Sequence, residues 1–282
     1  MLVGAPSGFN YITGNVLTTR PATAYGTVIT PAQNAYGSYT EILSDTSVTR
    51  DCYGILININ SNNATTAARN TIVTIGVDTS GGTSYVTLIP DLLGSCAAPL
   101  TITGALGGIW YYFPVFIKNG TALAAKASVN NATVGTLRVA CWLFGDPTHP
   151  HLIRCGQGVE AIGITAASSS GTAVTSGTTN EGAWTSLGTT TRTCFAWQLG
   201  MGVNDGTMSA VSYNLDLAAD NNATAPKIII QDAMAASNST EQFSLTQQDA
   251  YMDVASGATM YGRMQCSGTA DASLSMAAYG VY

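Results

Sequence analysis

Two copies of one unit follow each other along the chain, and no other feature of its 282 residues constrains the fold as strongly. Gly26-Thr27-Val28-Ile29-Thr30 aligns with Gly171-Thr172-Ala173-Val174-Thr175, an offset of 145. The register continues from Gly37-Ser38-Tyr39-Thr40 to Gly182-Ala183-Trp184-Thr185. The offset then falls to 142, setting Cys52 on Cys194, Val73, Ile75 and Val77 on Leu215, Leu217 and Ala219, and Asp78 on Asp220. Near the end of each copy it is 137, where Leu123 meets Met260, Lys126 meets Arg263, and Leu137 and Val139 meet Leu274 and Met276. Apolar positions keep meeting apolar positions while the offset shrinks in steps, as deletions in loops would make it. The copies span residues 25–146 and 170–282. Residues 1–24 read as an N-terminal arm without a counterpart. Residues 147–169, with Pro147, Pro150 and a serine run starting at Ser168, read as a linker from which the second copy projects outward.

Each copy carries the two-residue period of β-strands. Ile55, Ile57 and Ile59 share one face, as do Val73, Ile75 and Val77, and Leu137, Val139, Cys141 and Leu143 alternate with Arg138, Ala140, Trp142 and Phe144. Turn clusters such as Asn60-Ser61-Asn62-Asn63, Asp78-Thr79-Ser80-Gly81-Gly82 and Asn130-Asn131 bound these runs. The pattern predicts eight strands per copy, near 26–30, 37–43, 48–59, 71–78, 84–89, 109–117, 122–129 and 136–144. Residues 64–70 and 90–94 hold a helical turn at most. Eight strands in about 120 residues fit a jelly roll. The expected fold is therefore all-β, with two tandem jelly-roll-like β-sandwiches arising from the duplication.

Composition narrows the function. Charged residues make up 9% of the chain and hydrophobic ones 46%, which excludes disorder driven by charge. The densest apolar run, Ile109 to Ile117, is too short to cross a bilayer and contains Pro114. No basic segment followed by a long apolar run opens the chain, so no signal peptide is expected. The net charge is −6 and the ten basic residues are scattered, which argues against nucleic acid as a partner. So apolar a surface with so few charges favours self-association, and a homo-oligomer, most simply a trimer, is the expected state.

No constellation points to catalysis, a cofactor or a metal. Cys52 and Cys194 are equivalent, but Cys141 falls on Ala278 and Cys266 on Val129, so the six cysteines read as buried thiols rather than disulfides. His149, His151 and Cys155 match no zinc spacing, and they sit in the linker. Those two histidines are also all that a Ser–His or Cys–His site could use. Asp216, Asp220, Asn221 and Asn222 could line a calcium site but read as turn residues, as do the Asn-x-Thr triplets at Asn63, Asn119, Asn131, Asn222 and Asn238. In Trp110-Tyr111-Tyr112-Phe113, alternation sends Tyr111 and Phe113 to one side and Trp110 and Tyr112 to the other. One pair is then core, and the other suits a subunit interface or a sugar-stacking face.

The segment Gly120-Thr121-Ala122-Leu123-Ala124-Ala125-Lys126-Ala127, followed by a last strand from Leu137 to Phe144, resembles the closing hairpin of tailed-bacteriophage head-decoration, head-fibre and tail proteins. Gly257 to Met264 and Leu274 to Tyr282 close the second copy in the same way. The resemblance implies a non-enzymatic structural protein located in the virion, a capsid decoration or head-fibre protein with copies of itself and capsid or other virion proteins as partners. The alternative is a tail or fibre protein that binds a host receptor or surface glycan.

Overall fold

The computed structural model describes residues 10–11, 26–62, 70–94, 109–130, 136–145, 154–203, 212–220, 226–236, 244–245, 250–268 and 274–282. Among these, helix is confined to one 3-10 turn at Asp45–Ser47. The first half contributes β1 (Asn10–Tyr11), β2 (Thr27–Ile29), β3 (Ala32–Gln33), β4 (Thr40–Leu43), β5 (Gly54–Asn62), β6 (Thr71–Asp78), β7 (Val86–Leu93), β8 (Ile109–Phe113), β9 (Ala122–Val129) and β10 (Thr136–Gly145). The second contributes β11 (Val159–Ile162), β12 (Thr172–Ala173), β13 (Thr185–Thr189), β14 (Cys194–Val203), β15 (Ser212–Asp220), β16 (Lys227–Ala236), β17 (Ser244–Leu245), β18 (Ala250–Val254), β19 (Thr259–Cys266) and β20 (Leu274–Val281).

Each half is a jelly roll. In the first, one sheet runs β2-β10-β5-β8 and faces a second that runs β4-β9-β6-β7; the equivalent sheets of the second half run β12-β20-β14-β18 and β13-β19-β15-β16. The halves agree in register as well as in order. Val139 pairs with Ile59 and Met276 with Met201. Ile75 pairs with Ile89 and Leu217 with Ile230, and both ladders slip at equivalent places around these residues. The offsets read from the sequence are thus obeyed in the hydrogen-bonded ladders except at β7 and β16, where the offset is 141, so that Val86 falls on Lys227 rather than on Ile228. Ile55, Ile57 and Ile59 meet Val73, Ile75, Leu123 and Ala125 in the first core, all fully buried. Each such isoleucine is worth roughly 1.5–3 kcal/mol by burial alone.

Three expectations need correction. Residues 1–24 are not wholly an arm without a counterpart, because Asn10 and Tyr11 add to the edge of β10 as β11 adds to β20. Residues 147–169 are not wholly a linker, because β11 holds the equivalent place on β20. Both short segments are too polar or too brief to show a strand period. Residues 90–94 do not form a helical turn: β7 continues through Pro90 to Leu93, with Asp91 at φ 56. Proline is tolerated there because β7 is an edge strand that slips in register, and a short aspartate accepts the left-handed bend. Asp232 makes the same bend, at φ 54, in β16.

The second half does not project freely. The outer face of its β11-β20-β14 sheet packs on the open edge of the first half, placing Phe195, Ala277, Tyr279 and Val281 in the first half's core cluster. Alternate residues Leu274, Met276 and Ala278 face their own core, so every residue of β20 is buried. Tyr279 is the anchor. Its ring stands edge-on to Tyr111 at 5.4 Å and to Phe113 at 6.3 Å. Its hydroxyl accepts a hydrogen bond from the Leu93 N–H at 2.8 Å and donates to the Asp91 carbonyl at 3.0 Å. The segment leading into β11 is tied down too: the Gly156 N–H donates to the Pro114 carbonyl at 2.8 Å, and the Gly156 carbonyl accepts from the Phe116 N–H at 2.9 Å. Gly156 must lack a side chain, since a Cβ there would lie 2.4 Å from the Tyr282 carbonyl oxygen.

Cys52 and Cys194 occupy equivalent buried sites, with thiols directed at the Arg50 and Arg192 carbonyls respectively. Burial is the first cause pushing both thiols up to about 12. At pH 8 native protein is therefore expected to resist alkylation at both positions for hours, and replacing either with serine should cost about 1–3 kcal/mol in urea unfolding. Labelling of both within minutes would contradict this packing.

Candidate functional site

Two features stand out, and the duplication makes each intelligible. The first is a pair of equivalent polar clusters on the outer faces of the β4-β9-β6-β7 and β13-β19-β15-β16 sheets. In the first half the Lys126 ammonium lies over the rings of both Tyr36 and Tyr39, 4.8 Å from each centroid. Tyr36 donates a hydrogen bond to the Asp91 carboxylate, which also accepts from the Thr74 hydroxyl at 3.2 Å. Burial first, and the bond to Asp91 second, push the Tyr36 hydroxyl far above its ordinary value, so it stays a neutral donor. Tyr39 lies flat on the sheet because Gly76 beneath it has no side chain; a Cβ there would meet the ring at 2.7 Å.

In the second half Glu181, Trp184, Asp216 and Arg263 replace Tyr36, Tyr39, Thr74 and Lys126, while the aspartate recurs as Asp232. The Arg263 guanidinium reaches Glu181 at 2.5 Å and Asp216 at 2.7 Å, and stacks on Trp184 at 4.2 Å. Asp216 also accepts the Asp232 N–H at 2.7 Å. Burial, then repulsion from Asp216, raise the Glu181 carboxyl above its ordinary value, against the pull of Arg263. Glu181, Asp216 and Asp232 bring their oxygens within 4.8 Å of one another, a spacing that would suit a cation. The guanidinium already supplies positive charge to Glu181 and Asp216, so these three side chains form an ion-pair network. Asp216 is thus a mid-strand residue held by an arginine, not the turn residue its neighbourhood implied. Asp220 ends β15, and Asn221 and Asn222 lie outside the described residues. So do His149, His151, Asn63, Asn131 and Asn238, whereas Asn119 sits in a turn with its N–H on Asp51, and Cys155 is half-buried.

The second feature is an aromatic face on the outside of the β10-β5-β8 sheet. Trp110 and Tyr112 on β8 point outward there, and Tyr111 and Phe113 are fully buried, as alternation required. Trp142 and Phe144 reach the same face from β10. Trp110 and Trp142 lie 5.2 Å apart at 33°, and Tyr112 meets Phe144 edge-on at 5.9 Å. Trp110 remains 37% exposed. The face runs into a shallow groove between the halves, lined by Tyr112, Pro114, Trp197, Gln198 and Tyr251, which holds about 170 Å³ of space open to solvent. That space is open surface rather than an enclosed cavity, so the groove does not enclose a ligand of drug or cofactor size. Sequence reasoning found Trp110 and Tyr112 by alternation. It missed their grouping with Trp142 and Phe144, because only strand order brings β8 and β10 to either side of β5.

No protein-family model matches the chain, and no curated protein does. Among solved structures it is similar to PNGF-II in a P21 crystal form, with a TM-score of 0.39, 9% identity, 98% of this chain and 66% of that chain covered. PNGF-II in a C2 form gives a TM-score of 0.35 and 8% identity, covering 98% of this chain and 65% of that one. A tandem CBM22-1-CBM22-2 domain from Paenibacillus barcinonensis Xyn10C gives 0.27 and 12%, covering 99% and 93%. The chain spans just under two thirds of the PNGF-II structures it matches. At these scores the likeness carries no argument about function.

Proposed function

We propose that the chain is a non-enzymatic structural protein of a virion, a capsid decoration or head-fibre protein of a tailed phage that works by associating with copies of itself and with other virion proteins. The observation that supports this reading is the outward face carrying Trp110, Tyr112, Trp142 and Phe144. In the second half the equivalent face, with Tyr279 and Val281 in place of Trp142 and Phe144, is used to bind protein. Aromatic side chains of this kind are enriched at protein interfaces, and few charges oppose burial here. Quantitative mass spectrometry of purified particles tests the reading. Hundreds of copies per particle are expected for decoration and a few to a few dozen for a tail or fibre protein; absence from particles would remove the virion assignment.

A second reading rests on the ring pair Trp110–Trp142. Exposed indole faces stack on sugar rings, which favours a tail or fibre protein that holds a surface glycan. Titration with soluble host polysaccharide should then shift the tryptophan emission.

A further inference from the structure

Asp91 stands between the first-half polar cluster and the junction of the two halves, and its side chain and both its backbone groups are engaged. Its carboxylate accepts from the Tyr36 hydroxyl and from the Thr74 hydroxyl at 3.2 Å, and its N–H donates to the Thr74 oxygen at 3.3 Å. Its carbonyl accepts from the Tyr279 hydroxyl at 3.0 Å, and the same hydroxyl holds the Leu93 N–H at 2.8 Å. Asp91 sits at φ 56, a left-handed bend that persists only where its neighbours hold it, and the bend sets the direction of its carbonyl. The duplication supplies an internal control. Asp232, at φ 54, makes the same bend, and its N–H is held by Asp216, which replaces Thr74. The backbone bond alone is therefore enough to form the bend. Glu181 replaces Tyr36 there, and a carboxylate cannot donate to Asp232 as the phenol donates to Asp91. Among the described residues no side chain is bonded to the Asp232 carbonyl, and Met234, in the place of Leu93, is 61% exposed. The donating tyrosine occurs in the half whose aspartate receives the junction, and a carboxylate takes its place in the other.

We infer that Tyr36 is a latch on the junction: its hydroxyl, reaching Asp91 from the outer face of the sheet, fixes the bend in the orientation that receives Tyr279. Tyr36 is a positioning residue, since it acts on Tyr279 only through Asp91. The Lys126 ammonium, 4.8 Å from the ring centroids of Tyr36 and Tyr39, keeps the ring in place. With Tyr36 engaged, the Asp91 carbonyl is presented and the halves stay docked. With Tyr36 displaced, Asp91 is held by Thr74 alone, as Asp232 is by Asp216, and the grip on Tyr279 loosens. Asp91 is then the element with two states, and both the outer face and the junction bias it. A contact made on the outer face at Tyr36 and Lys126 therefore acts on the docking of the halves, whichever reading of the function holds.

Hydrogen exchange of the full chain, read at the Leu93 amide, tests this, because that N–H is bonded to the Tyr279 hydroxyl and reports the docking. Tyr36→Phe keeps the ring and removes the donor. It should speed Leu93 exchange roughly tenfold, the worth of one hydrogen bond, while the amides of β5 in the first core keep their wild-type rates. A role confined to its own sheet would leave Leu93 no more affected than β5. Tyr85→Phe removes a hydroxyl from the same face that is bonded to Glu41 rather than to Asp91, and should leave Leu93 as in wild type. Asp91→Asn, whose side chain still accepts from Tyr36, should retain the protection. Asp91→Gly, which takes the bend freely but offers no acceptor, should lose it as Tyr36→Phe does. In a Tyr279→Phe background, adding Tyr36→Phe should change the Leu93 rate no further, since the group on which the latch acts is gone. Unchanged Leu93 exchange in Tyr36→Phe, an equal effect of Tyr85→Phe, full protection in Asp91→Gly, or the same factor in both backgrounds would each overturn the inference.

Discussion

Replacing Tyr279 with alanine is expected to destabilise the protein by about 3–5 kcal/mol, the range for removing a fully buried aromatic side chain from a packed site. The ring fills the space between β7 and β8, touching Tyr111 and Phe113, and its hydroxyl serves the Leu93 N–H and the Asp91 carbonyl. Alanine leaves a cavity and strands an amide that the fold has withdrawn from water. Tyr279→Phe keeps the ring and removes only the hydroxyl, so about 1–3 kcal/mol is expected, set by the unpaired Leu93 amide. The shared core further implies that wild type unfolds in one transition. In Tyr279→Ala the second half should separate from the first, and urea unfolding followed by both tryptophan emission and far-UV dichroism should show two. Loss of less than 1 kcal/mol with a single transition would mean that the halves are held together elsewhere.

Arg263→Met is expected to cost about 3–5 kcal/mol, while Lys126→Met, its equivalent in the first half, should cost no more than about 2 kcal/mol. The cause is the partner. Arg263 neutralises Asp216, whose side chain is only 3% exposed, so removing the guanidinium leaves a buried carboxylate without a counter-charge. Lys126 faces two tyrosine rings, and Thr74 stands where Asp216 stands, so its removal costs cation–π contact and little else. Equal losses in the two variants would show that Asp216 finds another partner.

Much of this architecture was legible in the sequence. The steps in the self-alignment predicted which strands are equivalent, and alternation predicted that Ile55, Ile57 and Ile59 line a core and that Trp110 and Tyr111 part to opposite faces. Those are properties of a two-residue period and need no neighbour to be read. Cys52 and Cys194 were legible as buried equivalents for the same reason. What the sequence could not carry was anything decided by contact between distant segments. The strand Asn10–Tyr11 and the strand Val159–Ile162 are too short for a period and form only because an edge of β10 or β20 is there to pair with. Pro90 signals a break to any local reading, yet an edge strand with a slipped register accommodates it.

The largest difference concerns β20. Its eight residues alternate as a half-exposed strand would, and only the docking of one sandwich on the other buries the second face. The polar clusters are likewise products of the fold, since Glu181 from the loop before β13, Asp216 from β15 and Arg263 from β19 meet on one sheet. Local pattern determined each sandwich because hydrophobic periodicity is a property of the strand itself. The joining of the two was decided by tertiary structure, because it depends on a tyrosine finding two backbone groups 186 and 188 residues away.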